Sequence, residues 1–345
     1  MEATCSNCQA MPSENLPKQS PVKKSRTKKK RNRLIFYSIC ISIPVLHFLI
    51  FYVYINFNSI LMAFQKYTYV EPTPADTILG TPGKPGGVLP EYTGFENFVA
   101  AWNNFTGNTT RLWNSLLHFA VTVGVSTPLA LLFSYYLYKE YFLSGFFKVI
   151  LFLPQILSAL VLGLVFKHVV SDVYGYIVTS SGGVPVGDGN LLQGEMITRY
   201  LTVIIFNILM GFGVNVLTYT STMGGIGDSL IESAQLDGAN SLQEFLHIVI
   251  PMCYPTIVTL FIVNLSHIFT NQANLYTLYS EGAGRMDTVG YFLYVQAKGS
   301  ELYYLDDLHL TYPELSAYGL ICTAIILPVT MVTRHFLNKY GPSAE

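Results

Sequence analysis

The sequence predicts an all-α membrane protein with six transmembrane helices, and three observations carry that prediction. Six apolar stretches approach the roughly 20 residues a helix needs to cross a hydrocarbon core: 34–57, 112–138, 146–166, 200–222, 253–275 and 315–337. Hydrophobic residues make up 51% of the 345-residue chain and charged ones only 12%, too few charges for a soluble protein of this length. Nine of the twenty Lys and Arg crowd between Lys18 and Arg33, just ahead of the first stretch, where a positive-inside anchor carries its charge.

Five regions follow from this pattern. Residues 1–33 form a basic, disordered cytoplasmic tail, and 34–57 the first transmembrane helix. Residues 58–111 form an external loop whose Pro/Gly-rich insertion, 72–90, reads as irregular. Residues 112–338 form a core of five transmembrane helices with a cytoplasmic loop at 223–252, and 339–345 a cytoplasmic C-terminus. The tail's charge could suit nucleic acid, but the apolar stretch directly after it favours topology. That stretch lacks a small-residue cleavage site, so it reads as a retained anchor in the cell membrane. Cys5 and Cys8 form a Cys-x-x-Cys with no second ligand pair, which reads as reduced thiols, not a zinc site.

With the N-terminus inside, the tail, Lys139, Lys148, Arg334 and Lys339 lie in the cytoplasm. Lys66, Lys84, Arg111, Lys167, Arg199, Arg285 and Lys298 lie outside, which is thirteen basic residues against seven. The 223–252 loop then faces the cytoplasm. It holds acids and no Lys or Arg, so topology does not explain its charge, whereas a basic partner surface does.

Several chemistries are argued against. Gly80-Thr81-Pro82-Gly83-Lys84-Pro85 fails the spacing of a phosphate loop, and Pro85 stands where Ser or Thr would bind magnesium. No nucleophile elbow, metal-ligand pair or paired carboxylate is found. The central parts of the six stretches lack Asp, Glu, Lys and Arg, which argues against a carboxylate relay for protons or sodium. Energy must then enter elsewhere.

The 229–251 stretch is the candidate entry point. Ser229 and Glu232 have capping-box spacing, and so do Ser241 and Glu244, predicting two helix starts. Asp237-Gly238 reads as a helix stop. Leu242, Phe245, Leu246 and Val249 share one face of the second helix, and Pro251 closes it.

The same residues resemble the EAA loop of ABC importer membrane subunits. Glu232, Ala234, Asp237, Gly238, Ala239, Phe245, Ile248, Ile250 and Pro251 fit its spacing, and Ser233 replaces the pattern's first Ala. Gly94-Phe95-Glu96-Asn97-Phe98, Asn114-Ser115-Leu116 and Phe152-Leu153-Pro154 resemble further elements of the maltose-type carbohydrate permeases. The resemblance spans about residues 34–340. It implies a type I ABC importer permease fold and a non-catalytic subunit that moves a carbohydrate by alternating access. It also implies a second homologous permease, a cytoplasmic ATPase dimer holding ATP and Mg, no cofactor in this subunit, and an external solute-binding protein. Glu232, Asp237 and Gly238 would shape the joint with the ATPase, and Phe245 would fill a pocket on it.

Two polar stripes are candidates for a substrate path. Asn264, His267, Asn271 and Asn274 fall on one helical face of the fifth stretch, and Asn207, Gly211 and Asn215 on one face of the fourth. Amides and a neutral imidazole exchange hydrogen bonds with hydroxyl groups without the penalty of a full charge. Gly211 would let a ligand or a helix come close. Such residues also serve as helix–helix contacts in membranes, and both readings stand at this point. So do importers of other solutes, such as amino acids or osmolytes, and a secondary carrier. His118 and His47 read as packed and satisfied, and His247 as solvated. The Tyr-rich outer segment 276–314, with Glu301, Asp306 and Asp307, suits either an interfacial belt or a docking surface.

Overall fold

A computed structural model describes residues 23–69, 88–298 and 310–342. The Cys5–Cys8 pair, most of the Pro/Gly insertion, and Tyr303, Tyr304, Glu301, Asp306 and Asp307 lie outside them. Among the described residues six helices are long and apolar enough to span a bilayer: Ile35–Met62, Thr109–Tyr138, Ala159–Ser180, Met196–Met223, Ser241–Ser266 and Tyr312–Tyr340. They are called the first to sixth spans below.

The chain divides into two compact units, Met1–Ser59 and Ile60–Glu345. In the first, helical backbone starts at Lys23 and continues through His47, so the described end of the basic tail is helical, where disorder was expected. The second unit contains an antiparallel pair, β1 (Gln65–Tyr69) and β2 (Val88–Tyr92), which brackets the insertion; of the 72–90 stretch only 88–90 are described, and they are a strand where irregular backbone is expected. Asn97 Nδ2 donates to the Ala63 and Gln65 carbonyls at 2.9 and 2.8 Å, tying the helix Glu96–Gly107 to the start of β1. This gives the Gly-Phe-Glu-Asn-Phe element a structural role.

The third span departs most from expectation. The apolar stretch 146–166 is split between a helix Ser144–Ile156 and the span Ala159–Ser180. Leu157 and Ser158 are extended (ψ 148° and 144°), and the Ser158 hydroxyl caps the new helix at the Val161 N–H. The span therefore carries Lys167, His168 and Asp172 near its middle, with His168 Nδ1 2.6 Å from the Asp172 carboxylate. Freedom from charge holds for the central parts of the other five spans only.

The fourth span packs between the second span and the helix Ser144–Ile156, and the fifth packs against the sixth. Gly213 is buried where a Cβ would collide with the Leu151 carbonyl oxygen, so the fourth span's close approach depends on it. Gly211, singled out from the sequence, faces open space. Three buried clusters result. One, around Tyr135, Tyr219, Met223, Phe245 and Val249, lies beside the 223–252 loop. The others centre on Phe105, Phe292 and Tyr318, and on Phe206, Leu275 and Met286.

Candidate functional site

The loop and the polar stripes lie at opposite ends of the fifth span. At the loop end, the helix Asp228–Leu236 begins after Gly227, without a side-chain cap, so the Ser229–Glu232 box is not formed. It stops at Asp237, and Gly238 takes φ +83°, the left-handed turn expected of it. The next helix starts one residue earlier than its expected box. Asn240 is the cap, accepting from the Gln243 N–H at 2.8 Å, while the Gln243 side chain accepts from the Asn240 N–H at 2.9 Å. Ser241 and Glu244 are left outside the box.

Pro251 does not close this helix, which runs unbroken into the span through a π-helical stretch, Phe245–Val249. A proline lacks the N–H of an α-ladder and crowds the carbonyl four residues back. The wider turn removes that conflict. The second span uses the same device, with a π stretch Thr122–Ser126 ahead of Pro128.

The π stretch also splits the expected apolar face. Phe245 and Val249 point into the core, 5% and 0% exposed, with the Phe245 ring 5.0 Å from that of Tyr135. Leu242 and Leu246 are 62% and 48% exposed, and Leu236 88%. Phe245 therefore fills a pocket of its own chain, which corrects the expectation that it fills a partner's. Glu232, Asp237 and Gly238 are exposed, Ala234, Ala239, Ile248 and Pro251 half-buried. Glu244 is buried, and its carboxylate lies 2.5 Å from Lys139 Nζ. The exposed acids are then Asp228, Glu232 and Asp237.

At the far end the fifth span's helix stops at Ser266, so Asn271 and Asn274 do not share its face as expected. The chain turns through 267–270, and Ala273 and Asn274 take positive φ, 49° and 52°. Asn207 holds this unwound segment, donating to the Ala273 carbonyl at 2.8 Å and accepting from Asn274 Nδ2 at 2.8 Å. Gly290 lets the helix Val289–Ala297 abut it, since a Cβ there would sit 2.5 Å from the Thr270 carbonyl carbon. Thr288 donates to the Asn271 carbonyl at 3.0 Å.

The result is an open cleft of about 420 Å³ lined by Asn264, His267, Thr270, Asn271, Gln272, Asn274 and Thr277. Four of these were legible as a polar stripe, though for a helical geometry the chain does not adopt. Thr270, Gln272 and Thr277 had no periodic signal. Asn207 acts as a tie beside the cleft, and Asn215, one turn past Gly211, is half-buried on the fourth span. His118 is buried as expected, but its Nε2 has no hydrogen-bond partner among the described residues. It borders a cavity of about 10 Å³ that shares Asn264 and Asn271 with the cleft, room for about one water.

The wall behind the cleft is pinned by the Asn114-Ser115 pair. Asn114 Nδ2 donates to the Arg285 and Asp287 carbonyls at 2.9 and 2.8 Å, and Ser115 Oγ accepts from the Val289 N–H at 3.0 Å. Burial raises the Asp287 carboxyl to about 6, and Arg111, 3.8 Å away, partly opposes the rise.

The six spans and the acid-bearing loop between the fourth and fifth define a multi-pass membrane protein. Residues 126–342 match the family described as binding-protein-dependent transport system inner membrane component, and the chain belongs to that family. It is 28% identical over 301 residues to the arabinooligosaccharides transport system permease protein AraP of Bacillus subtilis (strain 168), covering 84% of each chain. It is 30% identical over 176 residues to the osmoprotective compounds uptake permease protein GgtC of Synechocystis, covering 48% of this chain and 61% of that one. Its fold matches a subunit of a bacterial ABC transporter involved in import of the acidic polysaccharide alginate, with TM-score 0.65 at 18% identity, covering 92% and 99% of the two chains.

Proposed function

We propose that this chain is the transmembrane subunit of an ATP-driven importer that takes a neutral oligosaccharide from an external binding protein and releases it into the cytoplasm by alternating access. The observation that carries the reading is the far-end cleft, whose lining offers amides, hydroxyls and an imidazole and, among the described residues, no carboxylate, Lys or Arg. Such a lining trades hydrogen bonds with sugar hydroxyls and gives an acidic saccharide no counter-charge. The oligosaccharide relative supports the class of solute.

The loop end supplies the drive. Glu232, Asp237 and Gly238 shape an acidic elbow, and Leu236 and Leu242 supply its exposed apolar contacts to an ATPase dimer. The ATPases hold ATP and Mg, and this subunit holds no cofactor. A second homologous permease completes the pathway, and both termini of this chain face the cytoplasm. As the ATPases close, the elbow moves with them and the spans rock between inward- and outward-open forms.

A second reading, an osmolyte in place of a sugar, draws on the Synechocystis relative, an uptake permease for osmoprotective compounds. Affinity purification of the intact complex, with identification of its ATPase and its solute, tests both. An ATPase and a neutral oligosaccharide are expected. A bound osmolyte selects the second reading, and a chain that purifies without any ATPase overturns both.

A further inference from the structure

The loop's one buried acid is the feature that the coupling surface leaves unused. Glu244 is 3% exposed, in the first turn of the helix that becomes the fifth span. Its carboxylate meets Lys139 Nζ at 2.5 Å and accepts a hydrogen bond from the Tyr135 hydroxyl at 3.2 Å. Tyr135 belongs to the last turn of the second span, and Lys139 caps its end, where a cation suits the helix dipole. The Tyr135 ring also packs on Phe245, the residue after Glu244. An apolar pair would fill this space at least as stably, because desolvating two charges offsets much of their attraction. What the charged pair adds is direction: it fixes one rotation of the loop helix against one span.

We infer that Lys139, Glu244 and Tyr135 are positioning residues that lock the loop to the second span, so that a push on the loop moves the second and fifth spans as one body. This rests on the importer reading above. Without the lock, the loop turns about the Phe245–Val249 π stretch, and ATPase movement is dissipated before it reaches the spans.

The test uses the whole importer in proteoliposomes and reads ATP hydrolysed per tritiated maltotriose or arabinotriose taken up. Glu244→Gln and Lys139→Met each raise that ratio about ten-fold or more while the complex still assembles. The exchange Lys139→Glu with Glu244→Lys returns it to within about three-fold of the starting value. Tyr135→Phe keeps the packed ring and raises the ratio about two- to five-fold. It remains informative if the charge variants fail to fold. An unchanged ratio in Tyr135→Phe and in the assembled single variants overturns the lock. So does a loss of assembly that the exchange repairs with no shift in the ratio. If the unaltered chain neither binds an ATPase nor imports either sugar, the importer reading falls first and takes the lock with it.

Discussion

At the loop end, the helix that becomes the fifth span starts on a reciprocal Asn240–Gln243 box, buries Glu244 against Lys139 and seats Phe245 in the core. At the other end, the same helix dissolves after Ser266 into a turn with two left-handed residues, Ala273 and Asn274. One end caps its start with a reciprocal box and packs one face, Glu244, Phe245 and Val249, into the core. The other leaves backbone irregular and amides open, and it keeps its shape by ties from neighbours, Asn207, Thr288 and Gly290. The contrast teaches where rigidity is placed: under the proposed function, the end assigned to coupling is closed by core packing, and the end assigned to solute is held from outside. Irregular backbone at membrane depth is tolerated where it lines a cavity.

The largest test breaks the closed end. Phe245→Asp places an unpaired charge in the core beside Tyr135 and removes more than about 4 kcal/mol of stability. The expected outcome is loss of the monodisperse, detergent-solubilised protein. Leu242→Asp, one turn earlier and 62% exposed, leaves the unfolding midpoint within about 0.5 kcal/mol of its starting stability and weakens ATPase capture instead. Equal losses in the two would erase the distinction between the buried and offered stripes.

The next test is pH at the tied end. The Asp287 carboxyl is raised by burial from 3.8 to about 6, so between those values the folded state holds more protons than the unfolded one. Its contribution is therefore fully present below about pH 4 and is lost as pH rises through 6. The contribution amounts to at most about 3 kcal/mol. Asp287→Asn should flatten thermal stability measured from pH 4 to 7.5, and a slope that persists in the variant would place the titrating group elsewhere.

A smaller effect comes from the tie itself. In Gly290→Ala the new methyl meets backbone atoms of Thr270 and Asn271, which yield only by moving the cleft floor. A loss of about 1 to 3 kcal/mol is expected, with weaker solute uptake, whereas retained stability and uptake would mean that the floor is not held from this side. The smallest is Gly238→Ala. At φ +83° an L-residue is strained by about 1–2 kcal/mol, partly offset by about 0.4–1 kcal/mol from a less flexible unfolded chain. A net loss near 1 kcal/mol in denaturation of the detergent-solubilised protein is expected, and a gain would mean that the loop relaxes out of the left-handed turn.

A sequence specifies structure most directly where the physical signal is local. Gly238 carried its own conformation into the structure because no other residue takes that turn so readily. The Asn-Ser pair at 114–115 was visible only as a motif. Its work, pinning residues 285–289, joins positions more than 170 apart, and nothing in the neighbouring sequence announces it. The Asn264–Asn274 spacing predicts a helical face, but the helix ends at Ser266, and Asn207, on another span, ties Ala273 and Asn274 in the turn that follows.

Six apolar stretches and a polar loop between the fourth and fifth were settled by composition and length, since a bilayer selects helices by residue count and hydropathy alone. Tertiary structure decided which face of each helix is used. It turned Phe245 inward, chose Gly213 over Gly211 for close packing, and broke the 146–166 stretch at Leu157. A repeat of 3.6 residues marks which side chains travel together, but only a neighbouring surface determines whether that side is buried, and a π turn or a single extended residue resets the count.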